Sequence, residues 1–179
     1  TLLILTGTSF GQVALYENFN YTTPGFVGGN LTTASDAIGS NNWATHSNTA
    51  TTGTGTIDVL AGSLNYTGLA ASVGNKIYLP GSNTTTPRDI NRSFTATTAN
   101  VQYYSLLIKV IDNTQLSATA SANGYFMSFG ATAGASISSL GARLGIVSSN
   151  AGANFRLNIS NISTGTITYT ENQFALDFE

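Results

Sequence analysis

Apolar and polar residues alternate along most of this chain with a period of two, and clusters of Gly, Asn, Ser and Pro break the alternation at short intervals. That pattern predicts an all-β fold, an antiparallel β-sandwich or barrel, and no segment carries the 3.6-residue spacing of an amphipathic helix. The principal strand is expected at residues 101–112, where Tyr104, Leu106, Ile108 and Val110 share one face and Val101, Tyr103, Leu107 and Ile111 the other. A strand apolar on both faces belongs in the middle of a sheet. Residues 154–160 alternate cleanly, so Phe155, Leu157 and Ile159 are expected inward and Asn154, Arg156, Asn158 and Ser160 outward. Shorter strands are expected at 14–19, 56–60, 63–66, 76–79, 92–96, 124–129, 142–148 and 166–171. Turns are expected at Pro24-Gly25, Gly28-Gly29-Asn30, Pro80-Gly81-Ser82-Asn83, Asp112-Asn113 and Asn123-Gly124, because Gly and Asn tolerate positive φ and Pro presets it. The Thr-rich stretch 47–56 reads as a loop, with a flat Thr ladder as the alternative.

The first twelve residues depart from this pattern. A short apolar run, Leu2 to Leu5, passes into small residues with Ser9 and Gly11 at small-x-small spacing. This predicts that residues 1–11 are the remnant of a secretory signal peptide cleaved before Gln12, with a first β-strand as the alternative. The missing charged n-region and starting Met predict a sequence that begins inside a longer reading frame. The end at Phe178-Glu179 is read in the same way, so residues 12–179 are expected to form a single β-sandwich domain, incomplete at its C-terminus.

Composition sharpens the class. Only 8% of residues are charged while 41% are hydrophobic, so Thr, Ser, Asn and Gly carry the polar balance and good helix formers are scarce. A net charge of -2, with six basic residues scattered along the chain, excludes the clustered basic surface that nucleic acid requires. No apolar stretch reaches bilayer length, so no membrane span is expected in the mature chain. The absence of cysteine removes disulfides and thiolate chemistry together. Asn-x-Ser/Thr triplets at Asn20, Asn91 and Asn158 are expected by chance in such a composition.

The succession Tyr16-Glu-Asn-Phe-Asn-Tyr21, Asn42-Trp43 with His46-Ser47, Leu64-Asn-Tyr-Thr-Gly-Leu69, Asn91-Arg-Ser-Phe-Thr-Ala96 and Tyr103-Tyr-Ser-Leu-Leu-Ile-Lys-Val110 resembles the N-terminal domain of many exported Bacteroidetes proteins. Those domains are concanavalin A-like, laminin-G-type jelly rolls, commonly in chains that end in a type IX secretion sorting domain. The resemblance implies a jelly roll over most of residues 13–171, a secreted or outer cell-surface location, and a sorting domain further along the parent chain. It also implies a calcium ion held by loop oxygens, for which Asp36, Asp89 and Asp112 are the candidates.

Candidate chemistry is sparse. A jelly-roll glycoside hydrolase needs paired carboxylates across a cleft, in the familiar cases as Glu-x-Asp-x-x-Glu on one strand, and that pattern is missing; Asp177 and Glu179 supply two acids on one face without a third. His46 is the only histidine, with no acid close in sequence, so it reads as a solvent-exposed or loop-anchoring residue and not as part of a triad or zinc site. Trp43, the only tryptophan, reads either as a buried ring at a strand start or as a sugar-stacking platform. Arg88, Asp89 and Arg92 form the one local charge cluster, a surface ion-pair network that could alternatively bind a carboxylated sugar. No catalytic residue is expected. The function expected is a non-catalytic, exported cell-surface module for carbohydrate or matrix recognition, with polysaccharide or extracellular matrix as partner. The alternatives are a structural spacer of a large adhesin and an accessory domain of a downstream hydrolase.

Overall fold

The computed structural model describes residues 15–21, 43–47, 57–79, 89–95, 101–119, 124–134, 136–149, 152–161, 167–169 and 174–175. The expected leader at 1–11, most of the Thr-rich stretch, Asp36, Arg88, Asp177 and Glu179 lie outside them, as do the turns expected at residues 24–25, 28–30 and 80–83. Among the described residues the architecture is all-β and every ladder is antiparallel.

Among the described residues nine strands form three sheets. Strand β1 (Trp43–Ser47) pairs with β4 (Asp89–Arg92), and β2 (Asp58–Leu60) pairs with β3 (Lys76–Tyr78). The larger sheet runs β5 (Tyr125–Phe129), β6 (Gly141–Ser149), β7 (Asn154–Ser160), with β8 (Ile167–Tyr169) and β9 (Phe174–Ala175) both on β7. β8 meets residues 158–160 and β9 meets residues 154–155, so the two short strands lie end to end along one edge of β7 while β6 occupies the other.

Two cores follow from this pairing. Ile57 and Val59 are buried at the start of β2, and Phe19, Tyr21, Trp43, Ile77 and Ile90 pack around them. In the larger sheet Val147 and Phe155 are buried, and Phe155 packs at 5.4 Å on the ring of Phe174. Phe94, just past β4, and Tyr104 both meet Phe129 of the larger sheet edge-on, at 6.1 and 5.3 Å. Buried Asn113 donates its side-chain amide to the carbonyls of Gly152 and Asn154, and the Ser148 amide donates to Ser117.

Several expectations are corrected here. Residues 101–112 join no ladder among the described residues, and Val101, Tyr103, Leu106 and Ile111 are exposed. Alternating apolarity reports which faces a strand can cover, not whether its edges find partners, and this segment is held by the Tyr104 ring instead. Residues 15–19 and 63–66 are also without a ladder, and the strand expected at 92–96 is shifted back to Asp89–Arg92. On β7 the expected facing holds at Phe155 but reverses at the other end, where Asn158 and Ser160 are buried and Ile159 is exposed. The reversal has a cause in the opposite strand: Asn158 pairs with Gly145, whose missing side chain leaves the space that the carboxamide fills.

Candidate functional site

The site grows from the ribbon of β1 and β4. Trp43 pairs with Arg92, Ala44 with Asn91 and Thr45 with Ile90, so Trp43, Ile90 and Arg92 share one face while Ala44 and Asn91 share the other. The register then slips by one residue at His46, a β-bulge that places the only histidine within a strand and not in a loop.

On the first face the ribbon meets residues 17–21. The Trp43 indole stacks on Phe19 at 6.1 Å with 22° between the rings, and its Nε1 donates to the Tyr21 hydroxyl at 2.7 Å. Tyr21 in turn donates to Glu17 Oε2 at 3.3 Å, and Glu17 forms an ion pair with Arg92. Glu17 Oε1 also accepts the Phe19 amide at 2.6 Å. Indole, phenol, carboxylate and guanidinium thus form one continuous chain of contacts. Burial pushes the Tyr21 hydroxyl well above its ordinary pKa, and the neighbouring Glu17 charge raises it further.

Segment 17–21 is held in place by strands β2 and β3. Asn75 donates its backbone amide to the Asn18 carbonyl and its side chain to the Phe19 carbonyl, both at 2.9 Å. Gly74 permits this approach, because a side chain there would run into the Asn18 carbonyl and its φ of +104° suits glycine. Phe19 itself sits at φ +51°, a conformation a bulky residue adopts only where its surroundings enforce it.

On the second face Asn91 acts as a clip. Its Nδ2 donates to the carbonyls of Ala44 (3.1 Å) and Gly134 (3.0 Å), and its Oδ1 accepts the Gly134 amide at 2.8 Å. The side chain therefore pairs with Gly134 as a neighbouring strand would, fastening the β5–β6 loop to the ribbon. That loop is braced from within by Thr132, whose hydroxyl donates to Ser136 and accepts the Ser138 amide. Between ribbon and loop lies an open cleft of roughly 530 Å³, lined by Trp43, Ala44, Asn91, Ser93, Ala133 and Gly134.

The sequence-based candidates fare unequally. Trp43 is half-buried and borders the cleft, while its ring packs toward the first core. Arg92 does not join a local network with Asp89; its partner is Glu17, 75 residues away. Asp89 lies in β4 and not in a loop, whereas Asp112 lies just before a turn and accepts the Thr114 amide at 2.8 Å, a bond that lowers its carboxyl pKa. Among the described residues no three acids or histidines gather as a metal site would require. Glu17, Tyr21 and Asn91 were not singled out as site residues. The available signal was the segment Tyr16 to Tyr21, in which a single acid lies among aromatic rings.

No helix among the described residues is long and apolar enough to cross a membrane. The chain matches no family model, no curated protein and no solved structure.

Proposed function

We propose that this chain is a non-catalytic, exported β-sandwich module of jelly-roll type that acts at the cell surface and recognises carbohydrate or extracellular matrix. The observation that carries the reading is the open cleft at the ribbon, which combines an aromatic residue, Trp43, with the neutral polar groups of Asn91, Ser93 and Gly134. Sugars present many hydroxyls, and an open cleft whose neutral hydrogen-bonding groups are fixed beside small apolar residues suits them. Rigidity supports the same reading, since the Tyr21 bond to Trp43 and the three Asn91 bonds set the cleft walls before any ligand arrives. The leader-like run ahead of Gln12 supports export.

The test is binding of the full chain to arrayed polysaccharides and matrix preparations, with and without calcium. Binding that is lost when the cleft is filled by Ala133→Trp supports the reading. No binding to any of them sinks the recognition role.

A further inference from the structure

This inference rests on the carbohydrate reading and deepens it: we infer that the Ser93 hydroxyl is the side-chain group through which the cleft holds its glycan, while Asn91 builds the wall. Of the side chains that line the cleft, those of Trp43, Asn91 and Ser93 carry polar atoms, and the other lining residues are alanine or glycine. Trp43 lies on the first face of the ribbon, stacked on Phe19, and its one side-chain N–H is spent on the Tyr21 hydroxyl. Both N–H groups of the Asn91 carboxamide are likewise taken, by the carbonyls of Ala44 and Gly134, and its Oδ1 accepts the Gly134 amide. Ser93 differs: it is exposed, and among the described residues its hydroxyl makes no hydrogen bond.

Its position is nonetheless fixed. Ser93 follows β4 directly and lies two residues beyond Asn91, so in extended backbone both side chains turn to the side of the cleft that they line. The residue before it, Arg92, is ion-paired with Glu17, and the residue after it, Phe94, packs edge-on against Phe129 at 6.1 Å. A hydroxyl on a backbone anchored at both neighbours is already in place, and binding to it orders little else. It can donate and accept, as the hydroxyls of a sugar do, and the small side chains of Ala44 and Ala133 in the same lining let a sugar ring approach. No lining side chain carries charge at neutral pH, so the contact is one that salt leaves largely untouched.

Affinity electrophoresis of the full chain through gels containing a neutral β-glucan, a β-mannan or a neutral xylan tests this. The wild type is expected to be retarded by at least one polymer, with or without added NaCl. Ser93→Ala is expected to weaken that binding about fivefold to tenfold, the worth of one hydrogen bond. Its urea midpoint is expected to match the wild type, because the hydroxyl supports nothing within the fold. Ser93→Thr restores the hydroxyl and is expected to recover most of the affinity. A Ser93→Ala protein that binds as the wild type does, while Ala133→Trp abolishes binding, overturns the inference and leaves carbohydrate recognition standing. So does a Ser93→Thr protein that binds no better than Ser93→Ala, since the loss then follows shape and not the hydroxyl. Retardation that added NaCl abolishes, or that survives both Ser93→Ala and Ala133→Trp, places binding outside this lining and overturns the inference as well. Retardation by none of the three polymers overturns the carbohydrate reading and this inference with it.

Discussion

The indole of Trp43 donates to the hydroxyl of Tyr21 at 2.7 Å, joining strand β1 to a segment 22 residues earlier in the chain. Because the chain contains a single tryptophan, its fluorescence reports on that one junction. Tyr21→Phe removes the acceptor for the indole and the donor to Glu17, and is expected to cost about 1–2 kcal/mol. Urea titration followed by Trp43 emission measures it, and a variant as stable as the wild type would show the bond to be idle.

Alkaline pH should weaken the fold. Burial raises the Tyr21 pKa above the ordinary value of 10, helped by Glu17; burial and the Asp89 charge raise Tyr125, with Arg143 opposing. The unfolded chain releases these protons from about pH 10 while the folded chain keeps them, so their contribution is intact below that pH and is lost as pH rises above it. Denaturant midpoints on either side of pH 10 should fall on the alkaline side, and less steeply in Tyr21→Phe.

Gly145 and Gly68 should respond very differently to alanine. A Cβ on Gly145 would lie 2.6 Å from both Asn158 Oδ1 and the Gly124 carbonyl, whereas Gly68 is open and carries only the strain of its φ of +96°. Gly145→Ala is expected to cost about 2–4 kcal/mol and Gly68→Ala about 1 kcal/mol. Thermal melts of the two variants side by side check the ordering.

Strand β7 offers a matched pair of substitutions. Phe155 is 1% exposed and packs on Phe174, so Phe155→Ala is expected to cost about 3–5 kcal/mol. Ile159 is 46% exposed, and Ile159→Thr is expected to stay within about 0.5 kcal/mol of the wild type. Equal losses at both positions would contradict the reversal of facing along this strand.

Asn91→Ala should release the β5–β6 loop from the ribbon without unfolding either core. The Gly134 amide donates to Asn91 Oδ1, so its hydrogen exchange should accelerate far more than that of amides in the β6–β7 ladder. A uniform acceleration would instead indicate global loosening.

The period-two pattern carried most of the larger sheet. β5, β6, β7 and β8 fall inside or within a residue of the stretches expected, because their sequences alternate over the same spans that pair in the sheet. Residues 101–112 were misjudged for a reason that applies generally: the composition of a segment says how greasy its faces are, and ladder formation depends on which neighbours present free edges. Asn158 is buried because Gly145, on the strand opposite, opens room for its amide, while Ile159 lies exposed on the other face. At the site, Trp43 stood out as the single tryptophan and Arg92 as part of the local charge cluster with Arg88 and Asp89. Glu17 and Asn91 did not, since each acts through a partner 43 to 75 residues distant, and no local spacing encodes such a pairing.

The ion pair between Glu17 and Arg92 also bears on how quickly this protein can acquire its native state. Its two halves are separated by 75 residues, and the Asn75 bond to Phe19 spans another 56. Closing such long loops exacts chain entropy before any contact rewards it, so topologies of this kind reach the native state slowly. The hairpin-like ladders of β6 with β7 can assemble from near neighbours, whereas the ribbon and its cleft must wait for the N-terminal segment to find Arg92. The cleft walls formed by Trp43, Asn91 and Gly134 are therefore expected among the late native contacts, after the β6–β7 ladder has closed.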